Sequence, residues 1–215
     1  MTEAAVPPAH TKATRKDWVR AALDILISDG VDSVKVLTLA DRLAVSRSSF
    51  YWYFKNRDEL LDALLAHWQD TNTRGITAQA AAPSTSIVHG VTNIFRCWID
   101  ERLFDPRLDF AVRDWARRSD RVRGELDRAD EIRVTAIAGL FGRHGWGDVE
   151  AFVRARVLYF MQIGYYALDL GETLERRKEL TAHYLKSFTG QEPTPEELDP
   201  FLAWMDEMAN SGNRH

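Results

Sequence analysis

The sequence predicts an all-α fold in two parts, a short N-terminal bundle followed by a larger helical body. Three observations predict it. No stretch alternates apolar and polar residues between turn residues, which is the mark of a half-buried strand. Apolar residues recur instead at three- and four-residue spacing along most of the chain. Helix-start signatures also come at regular intervals: Thr14 with Asp17, Ser86, Asp105-Pro106, Asp120, Asp148, Thr173, and Thr194-Pro195 with Glu197. Together they give about nine or ten helices.

Taken in order, residues 1–13 are a Pro- and Ala-rich arm carrying Lys12. Residues 14–57 hold three short helices. The first starts at a Thr14/Asp17 capping box, turns Trp18, Ala22, Ile25 and Leu26 to one face, and stops at Gly30. The second covers roughly 36–43 (VLTLADRL) and the third about 47–53 (RSSFYWY). The body, 58–215, opens with a helix through LLDALLAHWQ. Residues 71–86 are poor in large apolar side chains and contain a Gly and a Pro, so they form a connector or a weakly helical end. Beyond them come a helix after Ser86 (IVHGVTNIFRCWI), one after Asp105-Pro106, and a long one from Asp120 to Gly142 or Gly145. A very apolar helix follows from Asp148 to about Leu170, then one from Thr173 to Phe188 and a last one from Thr194-Pro195.

Composition excludes several classes. Seven Trp, ten Phe and six Tyr in 215 residues supply a core that a disordered chain lacks. No apolar run approaches the roughly 18 residues that span a bilayer, and the first 16 residues have no hydrophobic stretch of a secretory signal. A single cysteine, Cys97, excludes a disulfide framework and a Cys-based zinc site, so the expected location is the cytoplasm. The formal net charge of −4 is uneven. Nine Lys/Arg face six Asp/Glu up to residue 57, and 19 face 26 after it. A basic head on an acidic body is the asymmetry expected if only the head meets phosphate, although scattered surface charge gives the same count.

The informative segment is 39–61, LADRLAVSRSSFYWYFKNRDELL. Two short helices around a tight turn at Ala44-Val45-Ser46 have the layout of a helix-turn-helix. Leu39, Ala40 and Leu43 face inward from the first, and Phe50 and Phe54 from the second. Arg47, Ser48, Ser49, Tyr51, Trp52 and Tyr53 are left at outward or edge positions. Small polar residues at a helix start let its N-terminus enter a major groove, and nearby guanidinium and phenol groups reach phosphate oxygens. The alternative for Tyr51 and Tyr53 is simple packing on the first helix with their hydroxyls in water. Arg15 and Lys16 either meet the nucleic-acid backbone or are solvated.

VSRSSFYWYFKNRDELLDALL resembles the recognition region of the TetR family of bacterial one-component transcriptional regulators, over about residues 14–68. The resemblance implies an Ω-shaped, all-helical homodimer with a ligand pocket in each body, repressing a nearby promoter until an inducer binds. It implies that Arg47, Ser48 and Ser49 read base edges, that Tyr51 and Tyr53 anchor phosphates, and that Trp52 lies along the sugar-phosphate edge or touches a thymine methyl. Arg57 would clamp a phosphate, and Lys35 and Thr38 complete the DNA-binding set. Two departures from the family pattern stand out. Ala44 occupies a turn position where the family has Gly, and Lys35 stands where it places a Ser or Thr N-cap.

The helix from Asp148 is apolar on two faces, which calls for two partners. One stripe is Val153, Val157, Phe160, Met161, Gly164 and Leu168; the other is Phe152, Tyr159, Ile163, Tyr166 and Leu170. One partner would be the chain's own core and the other a second subunit. The resemblance adds Leu180, His183, Tyr184 and Phe188 of the next helix to a four-helix dimer interface. It also puts Trp68, Phe95, Trp98, Phe110, Trp115 and Phe141 around a pocket, with His89, Asn93 and Arg96 as polar members, for a small apolar or aromatic inducer. Plain core is the alternative for each aromatic. Arg113, Asp114, Arg117 and Arg118 form a solvated face with Asp109–Arg113 and Asp114–Arg118 pairs.

No catalytic or metal pattern emerges. The six His at 10, 67, 89, 144, 183 and 215 form no HExxH and no i,i+4 pair. There is no GxGxxG, P-loop or GxSxG, and Cys97 is a buried small hydrophobe. The expectation is therefore no enzyme, no cofactor and no metal, but a dimeric repressor on a near-palindromic operator. Its recognition helices would lie about 34–36 Å apart or a multiple of that. The rival expectation is a DNA-binding adaptor whose body meets a protein and takes no inducer.

Overall fold

The computed structural model describes residues 13–212; the arm with Lys12, and His10 and His215, lie outside them. The described residues form helices joined by turns, with no strand among them. They separate into two units, one ending at His67 and one beginning at Trp68.

In the first unit, α1 (Arg15–Asp29) is launched by the Thr14 capping box: Thr14 N donates to Asp17 Oδ2 at 2.9 Å and Asp17 N to Thr14 Oγ1 at 3.3 Å. Gly30, at φ 78°, ends it. Helix α2 (Val36–Arg42) and α3 (Arg47–Phe50) follow. Trp18, Phe50 and Phe54 form the centre, with Trp18 edge-on to Phe50 at 5.3 Å and Phe50 stacked on Phe54 at 5.2 Å. Leu39 and Ala40 are buried beside them and Leu43 is half-buried, as the sequence pattern requires. The third helix is shorter than its apolar spacing implied. It closes at Phe50, and residues 51–53 continue as turns held by Tyr53 N and Phe54 N donating to the Phe50 carbonyl.

Helix α4 (Arg57–Trp68) passes into a π turn (Gln69–Thr73) and α5 (Arg74–Ala81) with helical dihedrals at Trp68, Thr73 and Arg74. The segment read as a connector is thus helical as far as Ala81. Small residues are there for a reason: a Cβ on Gly75 would sit 1.8 Å from the Leu103 carbonyl oxygen. The π turn aims Asn72, fully buried, so that its side chain pairs with both backbone groups of Asp105, at 2.9 and 3.2 Å.

The second unit continues with α6 (Ile87–Cys97), α7 (Pro106–Ala116), α8 (Asp120–Arg143), α9 (Asp148–Leu168), α10 (Leu174–Thr189) and α11 (Pro195–Gly212). Ser86, Asp105, Ser119 and Thr173 cap their helices by accepting from backbone N–H groups. Helix α8 packs on α5, α7 and α9, and α10 packs on α6, α9 and α11. The core runs from Ile76 through α6 and α8 to Phe201 and Met205 on α11. Cys97 is buried in it, and burial pushes its thiol up to about 12.

Candidate nucleic-acid interface and the interior of the body

The helix-turn-helix turn is built on an unusual backbone. Ala44 has φ 52°, the left-handed region that glycine occupies without strain. The turn closes with Ala44 N donating to Asp41 O at 3.1 Å and Val45 N to Ala40 O at 3.0 Å. Lys35 is the N-cap of α2 and makes no capping hydrogen bond, since an ammonium cannot accept one. Both departures noted in the sequence are therefore carried into the fold.

Around α3 the side chains sort by position. Lys35, Thr38, Arg47, Ser48, Tyr51 and Trp52 are exposed, Tyr51 at 54% and Trp52 at 66%. Ser49 and Tyr53 are half-buried. Ser46 and Ser48 hydroxyls meet at 2.8 Å, and Ser49 Oγ donates to Ser46 O at 2.7 Å, so the serines tie the start of α3 together. Tyr51 leans edge-on to Phe50 at 5.3 Å, which fixes its ring while leaving the phenol out. Lys35 and Arg47 form no ion pair among the described residues, whereas Arg42 nearby is bound to Asp24 at 2.8 Å. Leu37, at 54% exposure, also faces out on α2 and was missed, because a leucine in an apolar run reads as core. Arg15 places its guanidinium over the Phe54 ring at 4.9 Å, a role its position in sequence did not reveal.

Arg57 departs from its expected place. It is half-buried, and its Nε and Nη2 donate to the carbonyls of Val34 and Val31, each at 2.6 Å. These bonds pin the segment between α1 and α2, so the guanidinium is engaged within the unit rather than held out as a phosphate clamp.

The interior of the body corrects more. Trp68, Trp115 and Phe141 are buried core, Phe110 is half-buried, and none of the four lines the cavity found between α6, α9, α10 and α11. Where an apolar pocket was expected lies a buried charge network. Asp109 accepts from Trp68 Nε1 at 2.8 Å, Arg113 Nε at 2.8 Å and Arg133 Nη1 at 2.9 Å. The Tyr159 hydroxyl donates to Asp130 at 2.7 Å and accepts from Arg133 at 2.8 Å and Arg113 at 3.0 Å. Arg133 also lies over the rings of Trp68 and Phe104. Burial alone would raise the Asp109 pKa, but the Arg133 and Arg113 guanidiniums outweigh it and hold the carboxyl below its usual value. Arg113 is therefore not part of a solvated face. Its pairing with Asp109 is the expected i,i+4 one, and Arg118 pairs with Asp114 at 3.7 Å on the exposed side. His89 bonds locally to Thr85, Asn93 reaches the Pro83 carbonyl at 3.5 Å, and Arg96 stacks on Trp204.

A cavity of the body lies between α6, α9, α10 and α11, with a volume of about 60 Å³. Of the expected pocket residues it is lined by Phe95 and Trp98. Met161 and Tyr184, assigned to a dimer face, line it too. The other members of that assignment divide. Val153, Val157, Phe160, Leu168 and His183 are exposed, and Gly164 and Leu180 are half-buried. Val153, Val157, Phe160 and Leu168 of the first stripe thus point outward, as do Phe152 and Leu170 of the second, whereas Tyr159 of the second is buried against the core. Val149 and Phe152 extend the exposed stripe toward the start of the helix. No His, Cys, Asp and Glu cluster able to hold a metal occurs among the described residues. No helix there is long and apolar enough to cross a membrane.

Residues 19–64 match the family model for bacterial regulatory proteins of the tetR family. The tetracycline repressor protein class A of Escherichia coli transposon 1721 is 46% identical over 54 residues, 25% of this chain and 25% of the repressor. The chain therefore spans about a quarter of the length of the tetracycline repressors it matches. Among solved structures, a transcriptional regulator of Rhodococcus sp. Rha1 superposes with TM-score 0.59 at 17% identity, over 84% of this chain and 96% of that one. GusR of Salmonella enterica superposes with TM-score 0.57 at 15% identity, over 94% and 97%. These two establish the fold of the body as well as the head. The matching relatives are regulators of transcription, not enzymes. Over residues 19–64, therefore, the chain carries a domain matching that of the tetR family of bacterial regulatory proteins, set in an all-helical fold.

Proposed function

We propose that the protein is a homodimeric transcriptional repressor that holds a near-palindromic operator through α3 and the start of α2 and lets go when a small molecule enters the body. The observation that carries the DNA reading is the pair of exposed cations, Lys35 and Arg47, free of ion pairs among the described residues and set beside exposed Tyr51 and Trp52. A cation with no carboxylate on it is available to phosphate or to a guanine edge. Ser48 and Ser49 keep the start of α3 slim enough to approach a groove floor. The assigned domains are a head of 14–57 carrying this surface and a body of 58–215. The exposed apolar stripe from Val153 to Leu168, with Leu180 and His183 beside it, supports α9 and α10 as the dimer face. The relatives' names support repression, because the tetracycline repressor is one by name. By linkage, whatever factor the inducer takes from DNA affinity, DNA takes from inducer affinity.

The test is the salt dependence of binding to a random-sequence duplex. Lys35→Ala should flatten the slope of log affinity against log salt by about one. Arg117→Ala, on the exposed surface of the body, should leave it unchanged. Equal slopes for the wild-type protein and Lys35→Ala would remove the head from the phosphate contact.

A further inference from the structure

The cavity between α6, α9, α10 and α11 contains a polar group with nothing to bind. Gln162 sits in the middle of the apolar helix α9, only 6% exposed, and its Nε2 has no hydrogen-bond partner. The Tyr166 hydroxyl, which donates to the Trp98 carbonyl at 3.2 Å, is near enough for the amide to favour its phenolate, yet Nε2 stays outside hydrogen-bond geometry. A buried donor left without a partner carries its desolvation penalty uncompensated, so an acceptor would bind well there.

Two charged side chains border the same cavity and do not pair with each other. Glu172 is already served: Tyr165 donates its hydroxyl to Oε2 at 2.7 Å. Burial and that bond push the phenol up to about 12, so it stays protonated and keeps donating at neutral pH. Arg177 makes no ion pair among the described residues, and its charge is felt by both Tyr165 and Tyr166. Glu172 thus keeps its charge with one oxygen engaged by Tyr165, and Arg177 is the cation bordering the cavity that has no ion pair among the described residues. The remaining wall is apolar, with Trp98, Phe201 and Met205 supplying a ring-sized, adaptable surface. At about 60 Å³ the space is smaller than the roughly 150 Å³ that takes up a benzene ring, so a ring enters only as the flexible Met205 side chain gives way.

We infer that this cavity binds a small aromatic carboxylate, its ring against Trp98, Phe201 and Met205 and its carboxylate oxygens accepting from the Gln162 amide and the Arg177 guanidinium. The inference rests on the reading of the body as an inducer-binding domain and names the class of inducer. The ligand would not touch the Asp109–Arg133 network, whose members do not line the cavity.

The experiment uses the full chain and three probes, benzoate, phenylacetate and 3-phenylpropionate, each beside its primary amide. Binding is read directly by calorimetry and by intrinsic tryptophan fluorescence, without DNA. At least one carboxylate should bind tenfold or more tightly than its amide. That preference should fall at least tenfold in Arg177→Met, and affinity should fall similarly in Gln162→Leu. Arg177 is half-exposed, so its variant keeps the test alive if the buried one fails to fold. No carboxylate preferred over its amide, or a preference untouched by Arg177→Met, would overturn the inference. Adding the same probes to a protein–duplex complex separates the two readings. Carboxylates that bind the protein yet leave the duplex held would uphold the site and overturn the inducer role.

Discussion

Arg133 and Asp109 meet inside the body at 2.9 Å with neither side chain exposed. Breaking a buried pair by removing one partner costs about 3–5 kcal/mol, because the other charge is stranded. Arg133→Met should therefore destabilise the body by that order in urea unfolding. Asp109→Leu made together with Arg133→Met should cost clearly less than the two single changes added. An additive result would mean that the two side chains do not depend on each other.

The same pair sets an acid limit. Asp109 is held below its ordinary value in the folded chain, so its stabilisation is complete above the unfolded carboxylate value of about 4. It is lost as pH falls through the depressed folded value. Stability should be level through neutral pH and decline below about pH 4. Asp109→Asn should be less stable at neutrality and show a shallower decline. A steeper acid decline in that variant would contradict the sign of the shift.

Ala44 stands at φ 52°, which costs a non-glycine residue roughly 1–2 kcal/mol. Ala44→Gly should raise the stability of the head by about 1 kcal/mol, after the added freedom of glycine in the unfolded chain is counted. The check is the thermal midpoint of the full chain followed by far-ultraviolet circular dichroism. A lower midpoint would show that the turn is not strained.

Gly75 has the opposite sensitivity. A methyl group there would lie 1.8 Å from the Leu103 carbonyl oxygen, and backbone cannot swing aside as a side chain can. Gly75→Ala should cost at least about 3 kcal/mol by urea titration. A cost under about 1 kcal/mol would mean that α5 moves freely against the 100–104 turn.

Arg57 and Arg47 should separate cleanly. Arg57 holds the carbonyls of Val31 and Val34, and bonds to charged donors contribute about 1.5–3 kcal/mol each. Arg57→Ala should lower the melting temperature and DNA affinity together, and Arg57→Lys should not restore either. Arg47→Ala should leave stability unchanged and relax the base preference. Loss of stability in the Arg47 variant instead would reverse the two roles.

The head was legible because its signals are local. The Thr14 box, the Gly30 stop and the inward spacing of Trp18, Leu39, Phe50 and Phe54 all act within a few residues, and the structure has each of them. The end of α3 was misjudged because Tyr51, Trp52 and Tyr53 continue the aromatic run after the helix has closed. Arg57 was misplaced because its partners are 23 and 26 residues away, a distance that no spacing rule spans. The interior of the body was illegible for a related reason. Trp68, Trp115 and Phe141 look alike whether they surround a ligand or one another, and Asp109 and Arg113 look like a surface pair until α8 brings Arg133 to them. Gln162 was the one available clue to the cavity: a lone amide in a helix otherwise apolar on both faces.

Selection from a randomised duplex pool at physiological salt tests the central claim most directly. A near-palindromic consensus whose half-sites repeat at about one helical turn, or a multiple of it, is the expected result. That pattern should weaken in Arg47→Ala at the positions the guanidinium reads. A pool recovered without any enriched sequence, from protein stripped of small molecules by refolding, would contradict it.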